Sequence, residues 1–337
     1  MMKTRFILSL FFAFLCCLSL PAAAQSVKII FDTDMESDVD DVGALAMLHA
    51  LADNGEAEIL ATVVCSLNPW AVPTVDAVNT YFNRPDIPIA AVKTLGVYRN
   101  SKYAKIISEE FPQDAGFGEE AEDAITLYRR ILAEQPDNSV TVVTVGYLTN
   151  LSYLLQSGPD KYSPLTGAEL VEKKVKHLVC MGGRYPYHQN YEKWGNFKPD
   201  PDAVRFVASN WPTKIIFTGG GAFADLFKTG KTPFNYELTS NPVSRAYDIY
   251  LKGWRDWHHS ADLISVYVAV RGWEEFFVLN TVGYNHIFED GTLMWRLQPD
   301  DPRHTYINEL KEGIDPEQVA RVFDDLMVQS IRAKKIK

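Results

Sequence analysis

The stretch Val27-Lys28-Ile29-Ile30-Phe31-Asp32-Thr33-Asp34-Met35-Glu36-Ser37-Asp38-Val39-Asp40-Asp41 joins two opposite kinds of sequence. Val27–Phe31 is a short apolar run rich in β-branched residues, the kind that suits a strand buried on both faces. The ten residues after it hold five aspartates and one glutamate, with no Lys or Arg among them. Like charges this close repel. A loop carrying them at the mouth of a strand needs a counter-charge. A hard divalent cation is the natural one, because Ca²⁺ and Mg²⁺ take carboxylate and carbonyl oxygens. One or two aspartates fit a helix N-cap or a solvated surface; five do not. The spacing is not an EF-hand, since its Gly and terminal Glu are missing.

Similar apolar runs recur at Ile59–Val64, Ile89–Val92, Val140–Val145, His177–Cys180 and Lys214–Phe217. Between them lie stretches with helical spacing, Asp41–Leu51, Val72–Phe82, Ala121–Glu134 and Asp202–Ser209. Such alternation predicts an α/β fold, a mostly parallel central sheet flanked by helices. Ligands of such sheets sit beyond the carboxyl ends of the strands, which is where the acidic run falls. After Gly219 helical patterns dominate, at Pro242–Lys252, Ser260–Arg271 and Asp315–Arg332. A β-hairpin, Phe277–Phe288 and Thr292–Leu297, interrupts this helical C-terminal part. No Gly/Ser linker or internal repeat is visible, so residues 25–337 are expected to form one domain.

Upstream, Lys3 and Arg5 precede the apolar run Phe6–Leu20, followed by Pro21-Ala22-Ala23-Ala24. This pattern reads as a signal peptide over residues 1–24, and it predicts export to the periplasm or beyond. The run is short for a membrane span. The 337-residue chain has 33 Lys+Arg and 43 Asp+Glu, a formal charge of −10. A body this acidic repels phosphate backbones and anionic lipid, so nucleic acid and membrane are not expected partners. Two cysteines remain after residue 24, Cys65 and Cys180. Both end apolar runs and read as buried thiols rather than a disulfide. Gly219-Gly220-Gly221 reads as a strand-to-helix turn. The absence of Gly-x-Gly-x-x-Gly after the first strand argues against a dinucleotide enzyme.

The acidic segment resembles the N-terminal signature of the inosine-uridine-preferring nucleoside hydrolases, a strand followed by Asp-x-Asp and then Asp-Asp opening a helix. Three further segments are similar to that family, in its order. They are Val143-Thr144-Val145-Gly146-Tyr147-Leu148-Thr149-Asn150-Leu151, Val179-Cys180-Met181-Gly182-Gly183 and Asn196-Phe197-Lys198-Pro199-Asp200-Pro201-Asp202-Ala203. The resemblance implies a nucleoside hydrolase-like α/β domain, a bound Ca²⁺ and hydrolysis of the N-glycosidic bond of ribonucleosides or a related riboside. It implies Asp34 as calcium ligand and catalytic base. Asp41, the Thr144 carbonyl and Asp262 are the other metal ligands it implies. Asp40 falls to the sugar, with Asp38 competing because two extra residues separate Asp34 from the Asp-Asp pair. Asn196 is similar to an asparagine that holds sugar hydroxyls. A homo-oligomer is a further implication.

The sugar-facing half of the signature is altered. Trp194 stands where the family has Glu, with Glu192 two places back. His188 replaces an asparagine, with Asn190 near, and Ser66 replaces another, with Asn68 near. Ala261 stands where a His often precedes the late aspartate, with His258 and His259 near. These positions are carried as sugar or base contacts. Cleavage of an N-glycosidic bond builds positive charge on the sugar, which nearby carboxylates stabilise. A cation readies the weak nucleophile water, and a carboxylate takes its proton. His258, His259, Trp194, Tyr185 and Tyr187 are candidates to protonate or stack the departing base. The altered half motivates a second reading, a calcium-dependent sugar-binding protein that has lost catalysis.

Overall fold

A computed structural model describes residues 25–186, 192–193, 195–231 and 240–335, and for residues 192–193 and 330–335 the backbone alone. The expected signal segment, Tyr187, His188, Asn190 and Trp194 lie outside the described residues.

The strands of the main sheet are β1 (Val27–Thr33), β2 (Ala57–Val64), β3 (Ile89–Ala91), β4 (Glu122–Asp123), β5 (Val140–Thr144) and β6 (Val175–Met181). A second, small sheet contains β7 (Glu192–Lys193), and the main sheet continues with β8 (Lys214–Thr218) and β9 (Phe277–Asn280). Then come β10 (Tyr284–Ile287), β11 (Thr292–Arg296) and β12 (His304–Leu310). The main sheet runs β4-β3-β2-β1-β5-β6-β8-β12-β9, and the small one β10-β11-β7. Every pairing in the main sheet is parallel except β12 with β9. β1 and β5 lie at its centre, and all five β5 residues are buried.

Three expectations are corrected. Phe277–Phe288 is not one strand of a hairpin. It breaks at Thr281–Gly283, so that β9 joins the main sheet and only β10 pairs with β11. Gly283 has φ +100°, a conformation few side chains allow, which accounts for the break. The expected helix Ala121–Glu134 starts later, at Ala124, because the Asp123 carboxylate accepts the Thr126 N–H as an N-cap and Glu122–Asp123 pairs with β3. Strand β12 was not expected. Its sequence, HTYINEL, mixes polar residues into a strand that lies between β8 and β9.

The helices are α1 (Asp40–Asp53), α2 (Ala71–Tyr81), α3 (Ala104–Glu110), α4 (Ala124–Glu134), α5 (Thr149–Gln156), α6 (Gly167–Lys174), α7 (Pro201–Asn210), α8 (Pro242–Leu251), α9 (Ala261–Arg271) and α10 (Pro316–Lys335). One face of the sheet packs a core drawn from α1, α2, α8, α9 and α10, the other a core from α4 to α7. α1 is apolar on all sides because α9, α10 and the sheet enclose it. Each fully buried leucine along it, Leu45, Leu48 and Leu51, contributes about 2 kcal/mol. Cys65 and Cys180 are free and buried, as expected. Among the described residues no helix is long and apolar enough to cross a membrane.

Candidate active site

The carboxyl ends of β1, β2 and β5 and the N-termini of α1 and α9 meet at one place. Asp34 leaves β1, Asp40 and Asp41 open α1, and Asp262 lies in the first turn of α9. Helix N-termini favour negative charge, so each helical acid sits where the backbone helps to hold it. The turn after β1 is tight. Met35 adopts a left-handed φ of 46°, and its N–H donates to Asp41 Oδ1 at 3.3 Å. Thr33 Oγ1 donates to the same oxygen. Ser66 Oγ, at the end of β2, donates to the Asp34 carbonyl at 2.9 Å. Gly146, just past β5, lets the chain pass against the loop. A Cβ there would stand 2.5 Å from the Asp34 backbone nitrogen and closer still to Cys65 Sγ.

Asp34, Asp41 and Asp262 are 4, 2 and 4% exposed. Burial first, then neighbouring carboxylates, raise the proton affinity of all three. Asp34 feels Asp41, Glu36 and Asp38; Asp262 feels Asp40, Asp41 and Asp34; Asp41 is pushed up to about 8. No Lys or Arg among the described residues forms an ion pair with any of them. Thr144 Oγ1, at the end of β5, is buried with no hydrogen-bond partner. Three buried acids without a basic ion-pair partner among the described residues match in chemistry the oxygen donors a hard divalent cation takes.

Asp40 behaves differently. Burial alone would raise it, but His259, His258 and the Asp262 N–H outweigh that and hold it below the usual carboxylate range. Its Oδ1 lies 3.2 Å from His258 Nε2, and its Oδ2 accepts the Asp262 N–H at 3.3 Å. Among the described residues Asp40, His258 and His259 are the one group of His, Cys, Asp or Glu side chains with metal-like spacing; Asp34, Asp41 and Asp262 interact electrostatically without coming that close together. Arg255 argues against a metal there. Its guanidinium stands 2.7 Å from His258 Nδ1 and can only donate, so the ring proton sits on Nε2 and leaves it no lone pair for an ion.

The other expected residues divide. Asp38 is held by Tyr250, whose hydroxyl donates to Oδ1 at 2.6 Å. Asn196 is brought to the site. Its Nδ2 donates to the Val145 carbonyl at 2.6 Å and to Met181 Sδ at 3.1 Å, and its Oδ1 accepts no hydrogen bond among the described residues. His259 is a quarter exposed, 3.8 Å from Asp40 Oδ2 and 3.7 Å from Asp225 Oδ1. Asn68 is buried, and its loop uses both ends of its amide, Nδ2 on the Arg99 carbonyl and Oδ1 on the Trp70 N–H. Glu192 is in β7, which pairs with β11. Tyr185 is buried in an aromatic cluster with Phe217, Trp295 and Tyr306.

Two residues without an expected role stand in the site. Glu36 is fully buried, and its Oε1 accepts the Tyr147 hydroxyl at 2.7 Å. Its Oε2 accepts the Arg99 N–H at 3.1 Å. Glu36 was visible as part of the acidic run. Tyr147, 111 residues away, carried no local sign of the pairing.

The sequence profile of the inosine-uridine preferring nucleoside hydrolase family matches residues 29–281. Pyrimidine-specific ribonucleoside hydrolase RihA of Klebsiella pneumoniae is 27% identical over 204 residues, 54% of this chain. That match spans only 57% of the relative's length. Inosine-uridine preferring nucleoside hydrolase from Bacillus anthracis has a similar fold, with a TM-score of 0.65 at 17% identity, over 90% of this chain and 98% of that one. The type III effector protein XopQ, complexed with adenosine diphosphate ribose, gives 0.68 at 16% identity, over 91 and 95%. On the strength of a profile match across most of its length, this chain belongs to the inosine-uridine preferring nucleoside hydrolase family.

Proposed function

We propose that the protein is an exported, calcium-dependent N-glycosyl hydrolase that splits the bond between ribose and base in a nucleoside or a related riboside. One observation supports the reading: Asp34, Asp41 and Asp262 are buried near one another at the carboxyl end of a parallel sheet, with no basic ion-pair partner among the described residues. Those carboxylates and the Thr144 carbonyl would hold a Ca²⁺. When bound, such a cation supplies Lewis acidity towards water and a charge for neighbouring sugar hydroxyls.

The chain's own groups do the rest. Asp34 takes the proton from the attacking water. Asp40, held ionised, accepts a sugar hydroxyl and offsets the positive charge that grows on the ring as the base departs. The free Oδ1 of Asn196 takes a second hydroxyl. His259, partly exposed beside Asp40, is placed to hand a proton to the leaving base. Export rests on the N-terminal sequence pattern.

The test is release of reducing sugar from a panel of nucleosides, with and without chelator. Release from at least one riboside, lost on chelation and in Asp34→Asn, is expected. Calcium-dependent ribose binding with no release from any riboside would leave a sugar-binding protein instead.

A further inference from the structure

We propose that Arg255 is a positioning residue for Asp40, acting through the tautomer of His258. The inference rests on the reading that Asp40 serves the sugar.

The Arg255 guanidinium is gripped between two indoles, 3.9 Å from the Trp254 ring centroid and 4.3 Å from that of Trp257. Stacking of this kind fixes the planar fork of donors in one orientation. The fork delivers one N–H to His258 Nδ1 at 2.7 Å. A guanidinium has five donors and no acceptor, so Nδ1 must accept and the ring proton must lie on Nε2. That Nε2–H is aimed at Asp40 Oδ1, 3.2 Å away.

His258 itself has no freedom to turn away. It is fully buried, its backbone exchanges hydrogen bonds of 2.8 and 3.0 Å with Thr229, and its ring meets Tyr250 edge-on. Without Arg255 only the Asp40 carboxylate selects the tautomer, and the form with Nδ1–H gains population. It would present the bare Nε2 lone pair to a carboxylate oxygen, and Asp40 would lose a hydrogen bond and swing from its place. The grip thus runs from the exposed Trp254 inward to a carboxylate that is 1% exposed.

The experiment uses the whole protein labelled with ¹⁵N-histidine. Long-range ¹H–¹⁵N spectra report the tautomer of each ring, and His258→Gln assigns the resonance. The expected result is an Nε2–H ring in the wild type, a mixed or Nδ1–H ring in Arg255→Met, and the wild-type ring restored in Arg255→Lys. Should Arg255→Met not fold, Trp257→Ala removes one wall of the grip and gives the same shift more weakly. In turnover assays Arg255→Met raises KM about tenfold, with a smaller change in kcat. An Nδ1–H ring in the wild type overturns the inference. So does an unshifted His258 in Arg255→Met, or a loss confined to kcat, the mark of a merely structural role. The spectra do not depend on turnover, so they separate failure of this inference from failure of the hydrolase reading.

Discussion

A Gly146→Ala substitution adds one carbon where the ends of three strands touch. The new Cβ would stand 2.5 Å from the Asp34 backbone nitrogen and 3.0 Å from the Thr33 carbonyl carbon, with Cys65 Sγ closer still. Ordinary contacts begin at 3.4 Å, so one strand end must retreat by about 1 Å. Two of the obstructing atoms are backbone, so no change of rotamer relieves the clash. Val145 N donates to the Asp32 carbonyl at 2.8 Å and Tyr147 N to Cys65 Sγ at 3.1 Å, so the β5 side is tethered on both flanks. The shift therefore falls on Asp34. Overpacking of this kind costs about 1–3 kcal/mol of stability. A displacement of about 1 Å at a reacting group lowers turnover by about 10²-fold. Denaturant melts, calorimetry with Ca²⁺ and kcat/KM on a cleaved nucleoside read the three effects. Cys65→Ala/Gly146→Ala is the control. It removes the sulfur but not the Asp34 nitrogen, so calcium affinity and turnover stay low. Wild-type calcium affinity and kcat/KM in Gly146→Ala, or full recovery in the double variant, would refute the reasoning.

Asp262→Asn removes one of three mutually repelling buried acids. At pH 8 without cation the variant should be no less stable than wild type, but it should lose the stabilisation by Ca²⁺. For wild type that stabilisation is about 2.7 kcal/mol at a hundredfold excess over Kd, and a thermal shift series checks it. His177 is lowered to about 4 by burial, then by Lys176 and Lys214. Between pH 6.5 and 4 the unfolded chain binds a proton that the folded one refuses, so stability falls as pH drops, by at most about 3 kcal/mol. Urea melts across that range should show the slope in wild type and a flatter one in His177→Gln. Tyr128→Phe takes the 2.9 Å hydrogen bond from buried Asp32, which is already pushed up to about 7 by burial. It should cost about 1–3 kcal/mol, and unchanged urea midpoints would count against it.

The central sheet was legible because its strands are apolar on both faces, and β1, β2, β5 and β6 lie within two residues of their expected bounds. β12 was not, since its residues alternate with polar ones and read as loop. The acidic cluster was legible as charge without counter-charge. What charge pattern alone left open was which aspartate does what. That depends on partners far along the chain: Tyr250 for Asp38, and His258 with the Asp262 N–H for Asp40. Nothing in the sequence marked the indoles of Trp254 and Trp257 as partners of a cation. Trp254 is 57% exposed and both flank a cation, a relation that spacing within one segment does not announce.

The hydrogen bond from the Asp262 backbone to Asp40 closes a loop of 222 residues. No fragment ending before α9 holds Asp40 and its Asp262 partner together. A chain still emerging from the ribosome therefore carries its acidic run as mere charge. The arrangement of carboxylates arrives late and all at once, and a product truncated before α9 would lack it entirely.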